Sequence, residues 1–201
     1  MLKGKQLQRL IKQDELVLIN ENLYALKNEV GQTTRYLYHG QDLSKVEGNY
    51  RFLSQWYLAP EVLHYLQGTT EYLIIDQWGE SMIPTTTDQS YLKLLAEALW
   101  ALHHLDLSGY LNGEHSVNEH FIHGAPTLEA FRFEENQFIG FLELDNSQIG
   151  DINYDIAFLV NSLYHHYQQN FLNQIVEFYG TGLKLEIVMQ YLRQMGATYV
   201  D

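Results

Sequence analysis

Four carboxylates stand within thirteen residues late in the chain: Glu143, Asp145, Asp151 and Asp155, in the run FIGFLELDNSQIGDINYDIA over 138–157. Carboxylates are the side chains that hold a hard divalent cation such as magnesium. Glu143 and Asp145 are two apart. They share a face if the strand carrying Gly140-Phe141 runs on through them, and would then make a candidate carboxylate metal site. The plainer reading of the pair is a solvated acidic loop edge. A second group is His115, His120 and His123 with Glu114 and Glu119. It has the side chains of a transition-metal site, but its H-x4-H-x2-H spacing matches no zinc motif. No G-x-S-x-G, Walker loop or H-E-x-x-H occurs.

The 138–157 run resembles the metal-binding segment of the aminoglycoside phosphotransferases, a branch of the kinase-like fold. The pattern of that family is roughly G-F-I-D-x-G-x-x-G-x-x-D-x-x-x-D-I-A. Gly140, Phe141, Asp151, Asp155, Ile156 and Ala157 fall at its spacing with no gap. The likeness extends over nearly the whole chain. His123-Gly124-Ala125, with Ala130 five residues on, resembles the family's H-G-D-x-x-x-x-N loop. The run from Ala98-Leu99 through Leu102-His103-His104-Leu105-Asp106 resembles an A-L-x-x-L-H-x-L-D helix end. Phe178-Tyr179-Gly180 resembles a late helix break, and Asp76–Gly79 resembles the hinge that carries adenine.

Phosphoryl transfer needs few protein parts: metal ligands, a lysine on the phosphates, an acid that orients the lysine, and a proton acceptor. The resemblance implies a residue for each. The metal-holding Asp falls on Glu143 and its following Gly on Asp145. The second metal ligand falls on Ala130 and the proton acceptor on Ala125. The strand lysine falls on Tyr38, in Thr34–Gly40, and the orienting acid fits Glu47. Gln77 and Trp78 stand at the hinge. His123, Gly124, Asp151 and Asp155 are implied as frame, with Asp155 bonding back to the backbone near His123. A methyl group cannot take a proton, and general-base catalysis is worth typically ~10²–10⁴-fold. A phenol supplies no cation, so Lys27 or Arg35 would have to reach the phosphates instead. The frame therefore stands where the resemblance puts it, while the groups that do the chemistry are replaced.

The elements that must position these residues can be read from the pattern of apolar residues. Glu15–Ile19, Asn22–Asn28 and Thr33–His39 read as strands joined by hairpin turns at Asn20-Glu21 and Glu29–Gln32. A helix follows over Leu43–Tyr57, then a strand pair, Glu61–Leu66 and Thr70–Asp76. Asp88–Leu105 has apolar residues at helical spacing behind an Asp88 cap. Two short strands flank Glu134-Glu135-Asn136. Helices are expected over Asn153–Gln169, Phe171–Tyr179 and Leu183–Met195. The plan is α+β, a protein kinase-like two-lobe fold: a small antiparallel-sheet lobe over 1–76 and a mainly helical lobe over 77–201. The adjacent pairs His103-His104 and His165-His166 read as surface or interface residues.

Composition limits the partners. A net charge of −13 over 201 residues argues against nucleic acid and against an anionic membrane. Lys3, Lys5, Arg9 and Lys12 form a local basic exception, read as the solvated face of a first helix that packs Leu7, Leu10 and Ile11. No apolar run approaches the ~20 residues that span a bilayer. The chain has no cysteine, which fits a cytoplasmic location. The expectation is a degenerate phosphotransferase-like protein, a pseudokinase that binds a protein partner or a small-molecule ligand. The alternative is an active atypical phosphotransferase using ATP or GTP with magnesium, with metal on Glu143 and Asp145 and Glu129 or Asp106 as base.

Overall fold

The computed structural model of the chain describes residues 5–11, 14–110 and 119–199. Lys3, Lys12, Glu114 and His115 lie outside the described residues. The chain divides into two compact units, Met1–Trp78 and Gly79–Asp201.

The first unit is a five-stranded antiparallel sheet with a helix against each face. Its elements are α1 (Lys5–Leu10), β1 (Glu15–Leu18), β2 (Leu23–Lys27), β3 (Thr33–Gly40), α2 (Ser44–Ser54), β4 (Val62–Leu66) and β5 (Glu71–Asp76). The strands lie in the order β1-β2-β3-β5-β4. Register decides what each face buries. Leu37 of β3 stands opposite Tyr24 and Ile74, and Tyr38 stands opposite Leu23 and Leu73. Successive strand residues point to opposite faces. Leu37 therefore joins Leu7, Leu26 and Ile74 in a core that Leu10 and Ile11 of α1 help to close. Tyr38 points the other way and meets Tyr50 of α2. Tyr36, Leu37 and Tyr38 are all buried, because β3 is covered on both faces.

Turn chemistry sets the hairpins. The Asn20 side chain accepts from the Asn22 and Leu23 amides. The Asn28 side chain accepts from the Val30 and Gln32 amides around Gly31, whose φ is +78°. Helix α2 ends at Ser54, short of the expected Tyr57; Tyr57 has a positive φ of 56°, which no helix accommodates.

The second unit is mainly helical: α3 (Gln89–His103), β6 (His120–Ile122), β7 (Phe131–Glu134), β8 (Gln137–Phe141), β9 (Gln148–Gly150), α4 (Ile152–Tyr167), α5 (Leu172–Tyr179) and α6 (Leu185–Gln194). Asp88 caps α3 by accepting from the Tyr91 amide at 2.9 Å, and Asp151 caps α4 through the Asn153 amide at 2.9 Å. Helix α3 packs along α5, and α4 along α6. Strands β7 and β8 form a hairpin whose turn, Glu135-Asn136, has positive φ at both residues, which matches the twist of the strands. Strands β6 and β9 pair across 25 intervening residues, and this small sheet is not among the expected elements. No described helix is long and apolar enough to cross a membrane.

The Leu37 side chain is fully buried between α1 and the sheet. Leu37→Ala is expected to lower stability by about 2–5 kcal/mol, read from the urea midpoint at unchanged m-value. A loss under about 0.5 kcal/mol would mean that α1 does not close this core.

Candidate functional site

The loop that starts at His123 is held by one buried carboxylate. Asp155, on the first turns of α4, is fully buried. Its Oδ2 accepts from the His123 amide at 2.7 Å and its Oδ1 from the Gly124 amide at 2.8 Å. The His103 Nε2–H, from the end of α3, donates to Oδ2 at 3.1 Å. His103 Nδ1 in turn accepts from the Tyr179 hydroxyl at 2.8 Å. Two separate stretches of the chain thus meet at the Asp155 side chain, and a third joins through His103. Each carries a motif of the family resemblance: the L-H-x-L-D helix end, the His-Gly loop and the Tyr-Gly helix break.

Burial fixes the protonation of this cluster. Desolvation lowers the pKa of His103, against the opposing pull of the Asp155 hydrogen bond and charge. Desolvation also lowers that of His123, against the charge of Asp155. Both rings are neutral near pH 7. Desolvation, with the Asp155 charge, raises the Tyr179 hydroxyl, so it stays a donor. His123 Nε2–H donates to the Leu142 carbonyl at 2.8 Å, and its Nδ1 faces the Ala125 amide at 3.4 Å. Both ring nitrogens are thus turned to backbone groups, and His123 is no metal ligand. His103 is buried, not a surface or interface residue as its place in a His-His pair suggested.

The same loop is stitched to the segment that carries Glu143 and Asp145. The Leu142 amide donates to the Ala130 carbonyl at 2.9 Å, and the Ser147 hydroxyl to the His123 carbonyl at 3.0 Å. Gly124 has φ +83°, and a Cβ there would lie 2.2 Å from the Asn146 carbonyl oxygen. Only glycine lets the two segments approach so closely. The structure therefore sets Ala125, Ala130, Glu143 and Asp145 on two adjoining segments.

The strand does not run on through that segment. Strand β8 ends at Phe141, Glu143 is left-handed at φ 60° and ψ 48°, and Leu144–Asn146 form a 3-10 turn. The alternation that would put Glu143 and Asp145 on one face is absent, which corrects that premise of the carboxylate pair. Ala130 is fully buried and apolar. Among the described residues, no three His, Cys, Asp or Glu side chains converge as a metal site. The two carboxylates matched to magnesium, Glu143 and Asp145, are therefore not related by strand geometry.

In the sheet unit, Tyr38 is fully buried, and its hydroxyl lies 2.8 Å from that of Tyr50. The side chain on the strand position thus meets a phenol on α2. Glu47, one turn before Tyr50, pairs with Arg51 on its own helix. Arg35 is tied to Asp14 and donates to the Leu10 carbonyl at 3.0 Å, so it is engaged with α1 and its flank. Lys27 closes β2 opposite Glu15. Gln77 is exposed, and its amide bonds to the Asp76 side chain. Trp78 is half-buried. Gly79 begins the second unit. It receives the Arg132 side chain on its carbonyl at 2.9 Å, and a Cβ would lie 2.6 Å from the Phe133 oxygen.

Beside the loop, Thr127, Leu128 and Glu129 line a cavity of about 370 Å³ with Phe158, Asn161, Ser162 and His165 of α4. Sequence reasoning weighed Glu129 only as a base and missed this cavity. The α4 wall could have been found from the residues one and two turns beyond Asp155.

Comparison with known proteins decides the fold. No protein-family model and no curated protein matches this sequence. Solved structures do. The aminoglycoside phosphotransferase APH(3'')-Id from Streptomyces rimosus, in complex with ADP and streptomycin, superposes with a TM-score of 0.70 over 96% of each chain at 14% identity. The chain has the kinase-like fold of the aminoglycoside phosphotransferases. An ethanolamine kinase from Plasmodium vivax matches with a TM-score of 0.63 at 10% identity, covering 90% of this chain and 71% of that one. The amicoumacin kinase hAmiN, in complex with AMP-PNP, calcium and Ami, gives a TM-score of 0.64 at 10% identity, covering 96% of this chain and 78% of that one. At such identities the likeness is one of fold.

Two outcomes follow from the buried cluster. Asp155→Asn turns an amide N–H₂ toward donors that need an acceptor. It is expected to cost about 3 kcal/mol or more by chemical denaturation; a cost under 1 kcal/mol would remove Asp155 from its central place. The lowered pKa values of His103 and His123 mean that the unfolded chain binds protons the folded chain refuses. Stability is therefore full above the ordinary imidazole pKa of about 6.5 and falls as the pH drops below it, by at most about 1.4 kcal/mol per pH unit for each histidine. Stability constant between pH 7 and 5 would contradict neutral buried rings.

Proposed function

We propose that this chain is a binding protein built on the phosphotransferase fold, a pseudokinase that does not transfer phosphate. The observation that carries the reading is the contrast within one loop. Its frame is complete, from Asp155 through the His123 and Gly124 amides, yet methyl groups stand at the positions matched to the base and to the second metal ligand. The Tyr38–Tyr50 hydroxyl pair supports it, because neither phenol can neutralise a phosphate. The cavity lined by Glu129, Asn161 and His165 gives such a protein a place for a small polar ligand. Fold alone would not justify the reading. A cytoplasmic location fits a chain without cysteine.

The competing reading is an active atypical phosphotransferase. It draws on the carboxylate kept at Glu143 and on the nucleotides held by the structural neighbours, ADP in one and AMP-PNP with calcium in the other. Thermal unfolding with ATP or GTP, each with and without magnesium, separates the two. A ligand at ~100 times its dissociation constant stabilises by about 2.7 kcal/mol, a shift of several degrees for a chain of this length. The expected result is no magnesium-dependent stabilisation. A magnesium-dependent shift lost in Glu143→Ala and in Asp145→Ala would establish the metal site and favour the active reading.

A further inference from the structure

Two histidines beside the end of α3 are prepared for a metal ion in a way the loop carboxylates are not. His104 caps α3, and its Nδ1–H donates to the Trp100 carbonyl at 2.8 Å. His120 opens β6, and its Nδ1–H donates to the His103 carbonyl at 2.7 Å. A carbonyl can only accept, so in both rings the proton sits on Nδ1 and the lone pair on Nε2. A backbone carbonyl on one ring nitrogen is the outer-sphere contact that metal-ligating histidines almost always make, because it fixes tautomer and orientation.

The spacing suits a shared ion. The two ring centres lie 6.0 Å apart. An ion bound 2.0–2.1 Å from each nitrogen lies about 3.2 Å from each ring centre, so rings on one ion must have centres within about 6.4 Å. The present separation falls inside that reach. The positions are also set. The Trp100 indole stacks on His104 with centroids 4.2 Å apart and planes 21° from parallel, and His120 is held by strand pairing to Gly150. His104 is exposed and His120 partly so, which gives the ion a path in and leaves its other positions to water. The third histidine of the sequence cluster, His123, is excluded because its Nε2 is bonded to Leu142.

We propose that His104 and His120 form a two-imidazole site for a borderline or soft divalent transition metal, of the copper, nickel or zinc kind, distinct from the Glu143 segment. Imidazole prefers these ions to magnesium, and affinity should follow the order nickel below copper and copper above zinc. The site needs neither nucleotide nor the phosphotransferase loop, so it stands or falls separately from the proposed loss of phosphotransfer.

The test uses the full chain with no histidine tag. Copper, nickel, zinc and magnesium chlorides are titrated by calorimetry, and Trp fluorescence is followed in parallel. The expected result is one ion per chain, copper tightest, magnesium without effect, and copper-dependent quenching reversed by a chelator. Loss of an outer-sphere partner alone costs ~10–100-fold in affinity, so His104→Gln and His120→Gln should each cost at least ~10-fold. His64→Gln, at an exposed position of β4, should cost nothing. In Trp100→Phe most of the copper-dependent quenching should disappear, because the indole stacked on His104 is its reporter. If His120→Gln fails to fold, His104→Gln decides the matter alone, since His104 is exposed. No binding of any of the three ions, or equal binding by His104→Gln, would overturn the site.

Discussion

The carboxylate of Asp155 is the interaction on which the rest of the helical unit depends. A buried carboxylate is costly unless donors surround it. Here two main-chain amides and an imidazole do so, and each comes with a structural demand. The amides can reach it only if His123-Gly124 turns with a positive φ, and that turn brings the Asn146 carbonyl to where any side chain on residue 124 would stand. The imidazole can donate only if its other nitrogen is satisfied, which Tyr179 does. Helix α4 must start close by, and the Asp151 cap sets that start. Packing of α3 on α5 then brings His103 and Tyr179 together.

On the proposed reading, that frame positions residues that have little to offer phosphate chemistry. In a phosphotransferase the loop presents a base and a metal ligand, and the sheet presents a cation. In this chain the loop presents Ala125 and Ala130, and the sheet presents Tyr38. The replacements are well accommodated. Ala130 is fully buried, its backbone bonds to Leu142, and the Tyr38 hydroxyl has Tyr50 as a partner. The proposed loss of phosphotransfer is compatible with an intact skeleton, because the skeleton's hydrogen bonds run through backbone groups and through Asp155, His103 and Tyr179.

The sequence was most legible where the determinants are local. The Leu, Ile, Val and Tyr content of β1 to β3, the Asp88 cap and the helical spacing after it place those elements to within a few residues. The register of Asp151 and Asp155 against Gly140 and Phe141 points to the frame before any coordinate. Non-local determinants were not legible. Strands β6 and β9 are three residues each and far apart in the chain, so neither carries a pattern of its own. His103 looked like a surface residue because its neighbour is also histidine, yet it is the motif histidine of the L-H-x-L-D helix end and lies against Asp155. Extrapolating strand alternation past Phe141 failed because Glu143 takes a left-handed conformation, which no spacing rule reveals.

The most direct test of this account is transfer of the terminal phosphoryl group itself. Labelled ATP and GTP would be incubated with the chain, magnesium or manganese, and acceptors that include aminoglycosides and ethanolamine. The account predicts phosphate transfer and nucleotide hydrolysis no faster than in protein-free buffer, with Glu143→Ala indistinguishable from the natural chain. Metal-dependent turnover that Glu143→Ala abolishes would contradict it and would show that Glu143 serves a working metal site.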